Sequence, residues 1–129
     1  MDDNFLFLPS PFHSLQADRS WSWPLYVLGE DGHPRLCSDP RVWQEFFEDP
    51  DRRRVAITEL ETCTISTVFL CIDHNLSRPG PPLLFETRVF SPTHGEIDGH
   101  SEQYSTRADA LEGHAAVVRV LKFLSARIP

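Results

Sequence analysis

The amino-acid sequence predicts an α+β fold, in which a mostly antiparallel β-sheet of about four to six strands is covered by a C-terminal helix. Residues 53–90 are rich in β-branched and aromatic side chains that alternate along the chain, as they do in strands. Residues 106–126 repeat their apolar side chains at helical spacing. With 129 residues, of which 40% are hydrophobic, the chain can form a core without disulfide bonds.

We therefore expect a single domain spanning residues 1–129. Residues 1–20 show no sustained periodicity and are interrupted by prolines, which predicts an irregular N-terminal arm. Residues 21–51 are expected to form a hairpin and a short helix, and residues 52–129 the sheet and the C-terminal helix.

The hairpin is predicted from a short apolar strand at residues 25–28, followed by Asp31-Gly32, a pair that favours a type I′ turn. Pro34 comes soon after this turn and cannot donate a backbone hydrogen bond. The return strand to Cys37 is therefore expected at the edge of a sheet.

A short helix is predicted near residues 40–48. Ser38-Asp39-Pro40 is typical of a helix start, in which a capping side chain precedes a proline in the first turn. The apolar stripe of this helix comprises Val42, Trp43, Phe46 and Phe47. Asp49-Pro50 is expected to end it.

Three consecutive strands are predicted at residues 53–60, 64–73 and 83–90. The middle segment is largely apolar on both faces, which is typical of a central strand. Residues 74–82 contain three prolines and a glycine, so neither a strand nor a helix can continue through them. We expect this loop to join two antiparallel strands.

The C-terminal helix is predicted over residues 106–126, with Thr106 as its N-cap. Its apolar stripe, expected to lie on the sheet, comprises Ala110, Leu111, Val117, Val118, Leu121, Leu124 and Ile128. Gly113 costs about 1 kcal/mol relative to alanine inside a helix. A close approach between this helix and the sheet would explain the glycine.

The acidic charge of the chain is concentrated in its first part. The net charge is −7, and residues 1–51 contain ten acidic and three basic residues. This distribution argues against nucleic-acid binding, which needs a basic surface to neutralise phosphates. It suits a protein partner with a basic surface, and the alternative is that the acids only keep the protein in solution. Asp39, Glu45, Glu48 and Asp49 form the predicted contact surface.

Glu86 and Arg88 are further binding candidates, because they share one face of a predicted strand. The alternative is that both pair with neighbouring strands.

The cysteine pattern and the N-terminus indicate a cytoplasmic protein. Cys37, Cys63 and Cys71 are an odd number without C-x-x-C spacing, which favours reduced, buried thiols. The chain begins without a basic segment ahead of an apolar run, and no apolar run approaches membrane-spanning length. We expect no membrane association and no cofactor.

Asp73-His74 is a candidate catalytic pair, because an aspartate can orient an imidazole that acts as a base. No nucleophile motif such as G-x-S-x-G accompanies it. The structural alternative is that these side chains bind the backbone of the loop. His114 on the last helix is the third catalytic candidate. Its alternative is a buried imidazole bonded to a strand residue or to a backbone carbonyl.

A metal site is the candidate function of the segment after residue 90. Acidic and histidine side chains recur there at every second position, namely His94, Glu96, Asp98, His100 and Glu102. Gly95 and Gly99 interrupt the segment, and no recognised zinc spacing is present. We therefore favour a solvated loop over a metal site.

Several blocks of the second half resemble a group of small bacteriophage and prophage proteins. The pattern of that group is S-T-V-F-L-x-x-D-H, then P-P-L-L-F-E-T-x-V-F, Y-S-T and A-x-x-G-H, and the matching blocks lie at residues 65–74, 81–90, 104–106 and 110–114. This chain has Arg88 where the group often has methionine, and a longer insert after Phe90. Residues 1–51 lie outside the resemblance. It implies a phage setting and no mechanism.

Together these observations predict a non-enzymatic phage-type accessory protein that acts by binding another protein, for example by inhibiting a host defence complex. An immunity-type protein that neutralises a toxin is one alternative. A small hydrolase or metal enzyme that uses Asp73, His74 and His114 is the other. A homodimer is left open, because edge strands can pair with a second copy.

Overall fold

The computed structural model describes residues 24–75, 79–91 and 95–126, with the side chains of 95–100 left out. The predicted arm at 1–20 lies outside these residues. The strands are β1 (Tyr26–Leu28), β2 (Pro34–Leu36), β3 (Arg54–Glu59), β4 (Thr64–Phe69), β5 (Phe85–Ser91) and β6 (Gly95–Tyr104). The helices are α1 (Pro40–Phe47), α2 (Pro50–Arg53) and α3 (Arg107–Ala126). This arrangement confirms the predicted α+β fold.

The main sheet has four antiparallel strands in the order β3-β4-β5-β6, and β1 and β2 form a separate hairpin. Strand β4 pairs with β3 on one side and with β5 on the other, which confirms that it is central. The hairpin is confirmed, but the predicted type I′ turn at Asp31-Gly32 is wrong, because that turn needs a positive φ at both residues and only Gly32 has one, at +79°. The turn instead closes with a hydrogen bond from the Gly32 backbone to the Gly29 carbonyl at 2.9 Å.

Strand β4 ends earlier than predicted, at Phe69 rather than near residue 73. The backbone of Cys71 has a φ of 71°, which breaks the strand geometry. The Cys71 carbonyl accepts hydrogen bonds from the Tyr26 backbone and from the Trp43 ring nitrogen, at 2.9 and 3.1 Å. These contacts stabilise the turn of the backbone at Cys71. The sequence pattern could not reveal them, because the two donors lie in distant segments of the chain.

The prediction of a solvated loop around residues 94–102 is wrong, because residues 95–102 lie in strand β6. Strand β6 pairs antiparallel with β5, with Tyr104 opposite Phe85 and an irregular register between Arg88 and Phe90. An edge strand needs only one hydrogen-bonded neighbour and tolerates polar side chains, so the polar composition was a poor guide.

Helix α1 confirms the predicted short helix, and its aromatic residues Trp43, Phe46 and Phe47 are buried. Val42, which the stripe also placed in the core, is instead exposed, because it lies to one side of the buried aromatic residues. Pro50 does more than end this helix: it opens the four-residue helix α2, which the sequence analysis did not predict.

Helix α3 packs against all four strands of the main sheet. Thr106 accepts a hydrogen bond from the Asp109 backbone at 3.1 Å, which confirms the predicted N-cap. The buried positions of this helix are Ala110, His114 and Val117, and Val118 and Leu121 pack half-buried against the core. The predicted stripe was too broad, since Leu111 and Leu124 are exposed, and its last residue, Ile128, lies outside the described residues.

Gly113 lets helix α3 approach the sheet, as the sequence predicted. The ring of Tyr104 on β6 occupies the space that a β-carbon at Gly113 would fill. Within the described residues, no helix is long and apolar enough to cross a membrane.

The described core has two parts at opposite ends of the sheet. One part joins the aromatic residues of α1 to Phe69, Phe85 and Ala110. The other joins Val117, farther along α3, to Cys63 and neighbouring apolar residues. Helix α1 therefore lies near the start of α3, and the end of α3 lies near the β3–β4 turn.

Candidate functional site

The candidate binding site is the surface formed by Asp39, Glu45, Glu48 and Asp49, which we call the acidic surface. Asp39 precedes α1, Glu45 lies on its outer side, and Glu48 and Asp49 follow its last turn. Asp39, Glu45 and Glu48 are exposed, and Asp49 is half-buried. The structure thus places all four predicted residues around one short helix.

Two of these carboxylates also have a structural role as helix caps. Asp39 Oδ1 accepts a hydrogen bond from the Arg41 backbone at 3.0 Å. Asp49 Oδ1 accepts from the backbones of Asp51 and Arg52 at 3.1 and 3.3 Å. Capping fixes the position of each charge, because it ties one carboxylate oxygen to a rigid helix end.

The two glutamates carry no such role. Glu48 accepts a hydrogen bond from the side chain of Gln44, one turn earlier on the same exposed face, at 3.2 Å. Glu45 lies exposed between the two capped ends of α1. Both can be changed without removing a cap or a core contact.

Glu86 and Arg88 form an ion pair on β5, with 2.9 Å between Arg88 Nε and Glu86 Oε1. Glu86 is only 2% exposed, and its Oε2 also accepts from Ser101 and Gln103 of β6, at 2.7 and 3.1 Å. These contacts join β5 to β6, as the structural alternative expected. We call these four residues the Glu86 cluster.

Asp73 binds the backbone of its own loop. Its Oδ1 accepts from the backbones of Asn75 and Leu83, at 2.7 and 2.8 Å. The pKa of His74 is lowered by burial, although the nearby carboxylates of Glu86 and Asp73 favour the charged imidazole. The hydrogen bonds of Asp73 match the loop role that the sequence analysis gave as the structural alternative.

His114 lies between α3 and the sheet, and both of its ring nitrogens are hydrogen-bonded. Nε2 lies 2.9 Å from the hydroxyl of Thr58 on β3, and Nδ1 lies 2.8 Å from that of Thr67 on β4. Thr67 in turn lies 2.6 Å from the hydroxyl of Thr87 on β5, which also hydrogen-bonds Tyr104. Burial lowers the pKa of His114. This hydroxyl network gives the buried imidazole strand partners, as the structural alternative predicted.

The three catalytic candidates do not form one site. Neighbouring residues of a strand point to opposite faces, so Thr87 and Glu86 lie on different sides of the sheet. His114 hydrogen-bonds to the hydroxyl network on the α3 side of the sheet. His74, by contrast, lies close enough to Glu86 for this carboxylate to affect its pKa. The sheet therefore lies between His114 and the Glu86 cluster.

Four of the candidate metal ligands have side chains outside the described part of the structure, namely His94, Glu96, Asp98 and His100. Glu102, which is described, accepts a hydrogen bond from the Tyr104 hydroxyl at 3.0 Å. Among the described residues, no group of three or more metal-binding side chains occurs.

Arg53 is a structural residue whose role the sequence analysis missed. It is 1% exposed and donates from Nε to the Phe69 carbonyl at 2.9 Å and from Nη1 to the Phe47 carbonyl at 3.3 Å. Its guanidinium also lies over the Phe47 ring and beside the Cys71 thiol, whose pKa burial raises to about 12. Arg53 ends helix α2 rather than starting strand β3, so the predicted strand over residues 53–60 gave no signal of its burial.

Comparison with known proteins identified no matching family, no matching curated protein and no matching solved structure. We therefore infer the function from the geometry and charge of this chain.

Proposed function

We propose that this chain is a non-enzymatic accessory protein that binds another protein through its acidic surface. The observation that carries the proposal is the group of four carboxylates around α1, three of them exposed and two fixed by helix capping. A partner with a basic surface is the complement of this charge.

The other polar candidates are engaged within the fold, which supports the choice of the acidic surface. Asp73 accepts hydrogen bonds from the backbones of two loop residues, and Glu86 accepts hydrogen bonds from three side chains. His114 has a hydroxyl at each ring nitrogen. Glu45, by contrast, lies outward on a rigid element, where a partner can reach it without disturbing the fold.

The resemblance to phage and prophage proteins suggests where the partner occurs. In a phage setting the partner would be a component of the bacterial host, and an inhibitor of a host defence complex is the form that we propose. An immunity-type protein would use the same kind of acidic surface. The identity of the partner separates the two forms, since an immunity protein binds a toxin in a stable stoichiometric complex.

The proposal is tested by affinity capture from a bacterial lysate. The wild-type chain is compared with a variant carrying Asp39→Asn, Glu45→Gln, Glu48→Gln and Asp49→Asn. Asparagine is also a good N-cap, so this variant removes charge and keeps both helix starts. A matched control carries Glu59→Gln and Glu61→Gln, two exposed acids outside the acidic surface.

We expect a specific partner that the wild type and the control capture and that the acidic-surface variant loses. The captured protein should also leave the wild-type chain as salt is raised, because salt screens contacts between exposed charges. A partner that the acidic-surface variant retains in full would refute the proposal, and so would the absence of any captured protein.

A further inference from the structure

The end of helix α3 carries a second surface whose charge is opposite to that of the acidic surface. We call it the basic helix end and define it by Arg119, Val120, Lys122 and Leu124. Arg119 and Lys122 are exposed, and they are the only charged residues between 115 and 126. Val120 and Leu124 are 55% and 51% exposed. An apolar centre flanked by charge is the composition expected of a protein-binding surface.

The acidic surface has the complementary composition. Leu36 and Val42, which are 71% and 51% exposed, lie in the same stretch of chain as its carboxylates. Residues 36–51 contain five acidic residues and one basic residue. Each of the two surfaces therefore combines exposed apolar side chains with charge, and the charges are of opposite sign.

The two surfaces cannot meet within one chain. The core places α1 beside Ala110, at the start of α3, whereas Val117 already packs at the other end of the sheet. With a rise of 1.5 Å per residue, Val120 and Leu124 lie about 15–20 Å farther along the helix axis than Ala110. Contact between the surfaces therefore requires two molecules.

We propose that the basic helix end of one copy docks on the acidic surface of a second copy, in a head-to-tail contact. The charges and exposed apolar residues of the two surfaces complement each other, and each copy offers one surface of each kind. Such a heterologous contact leaves a free surface at both ends of a pair, so association continues with concentration unless a ring closes. This inference rests on the proposed function, because it names a second copy as a partner of the acidic surface.

The test uses charge reversal and sedimentation velocity over a range of protein concentrations. One variant carries Glu45→Lys and Glu48→Lys, and the other carries Arg119→Glu and Lys122→Glu. All four positions are exposed, and circular dichroism checks that both variants are folded. A control carries Glu30→Lys and Glu102→Lys, two exposed positions in the β1–β2 turn and on β6, which changes the net charge by the same amount as the first variant.

We expect the wild type and the control to associate increasingly with concentration, and each surface variant to remain monomeric. Mixing the two variants should restore association, because the basic helix end of the first variant meets the intact acidic surface of the second, and the two reversed surfaces again carry opposite charges. Raising the salt from 0.1 M to 1 M, where the screening length falls from about 10 Å to about 3 Å, should weaken the wild-type association.

A wild type that stays monomeric at every concentration would overturn the inference. So would surface variants that associate as the wild type does, as pairing through the edge strands β3 or β6 would produce, or a mixture that stays monomeric. A monomeric wild type that still captures a basic protein through the acidic surface would refute only the contact between copies. The proposed function would then stand.

Discussion

Replacing Thr67 by valine should destabilise the protein without changing the shape of its core. The Thr67 hydroxyl lies 2.8 Å from His114 Nδ1 and 2.6 Å from the Thr87 hydroxyl, and the residue is fully buried. Valine has nearly the same volume, so Thr67→Val removes these two hydrogen bonds and leaves little cavity. The change therefore isolates the polar contribution of the hydroxyl network.

The expected magnitude follows from the groups that lose a partner. A buried group left without a hydrogen bond costs about 1–3 kcal/mol. Among the described residues, His114 Nδ1 has no partner besides Thr67, whereas Thr87 retains its contact with Tyr104 and loses less. We therefore expect Thr67→Val to lower the free energy of unfolding by about 2–4 kcal/mol.

The assay is urea unfolding followed by circular dichroism, with Thr64→Val as the control. Thr64 lies on the same strand and is half-buried, so its replacement should change the free energy of unfolding by no more than about 0.5 kcal/mol. The double variant Thr67→Val with Thr87→Val should cost less than the sum of the single changes, because each removes a partner of the other. A Thr67→Val protein as stable as the control would show that the network contributes little, contrary to this reasoning.

Three further predictions concern His114, the cysteines and the cap of α1. Burial lowers the pKa of His114 below 6.5, so the stability linked to this group is fully present above about pH 6.5 and is lost as the pH falls through the folded-state pKa. Between about pH 7 and pH 5 the wild type should lose stability more steeply than His114→Gln, and parallel curves would contradict this. Half-exposed Cys37 should react with a thiol reagent in the folded protein, whereas Cys71, buried and with a pKa raised to about 12, should react only after unfolding. Equal rates of labelling in the folded protein would be inconsistent with the structure. Asp39→Ala should cost about 1 kcal/mol in urea unfolding and Asp39→Asn much less, since asparagine can cap. Equal losses for the two variants would argue against the capping role.

Much of the fold was accessible from the sequence because local signals agreed with the tertiary structure. Val68 and Phe69 point to opposite faces of strand β4 and are both buried. The apolar residues on both faces of this segment had indicated a strand that is buried on both faces. Asp39 and Thr106 were recognisable as caps because a capping side chain bonds to backbone groups two or three residues away.

The errors arose where distant contacts decide the structure. Strand β4 ends where the Cys71 carbonyl meets Trp43, a residue 28 positions earlier in the chain. Strand β6 is held by its pairing with β5 in spite of its polar composition. Helix α3 exposes Leu111 because the contact with the sheet is narrower than the apolar stripe.

The candidate site also has features that the sequence showed and features that depend on distant contacts. The acidic residues around α1 were visible as composition, and their position around one helix followed from the predicted caps. The partners of His114 depend on the register of three strands against a helix, which periodicity does not provide. The buried position of Arg53 likewise depends on carbonyls at Phe47 and Phe69, in two different elements.

Hydrogen exchange on the chain with and without its captured partner tests the central claim most directly. If the acidic surface is the contact, backbone protection should increase in residues 36–51 and remain unchanged in the loop around Asp73. Protection confined to the Asp73 loop and strand β5, with residues 36–51 unchanged, would show that the partner binds at the Glu86 cluster and would contradict the claim.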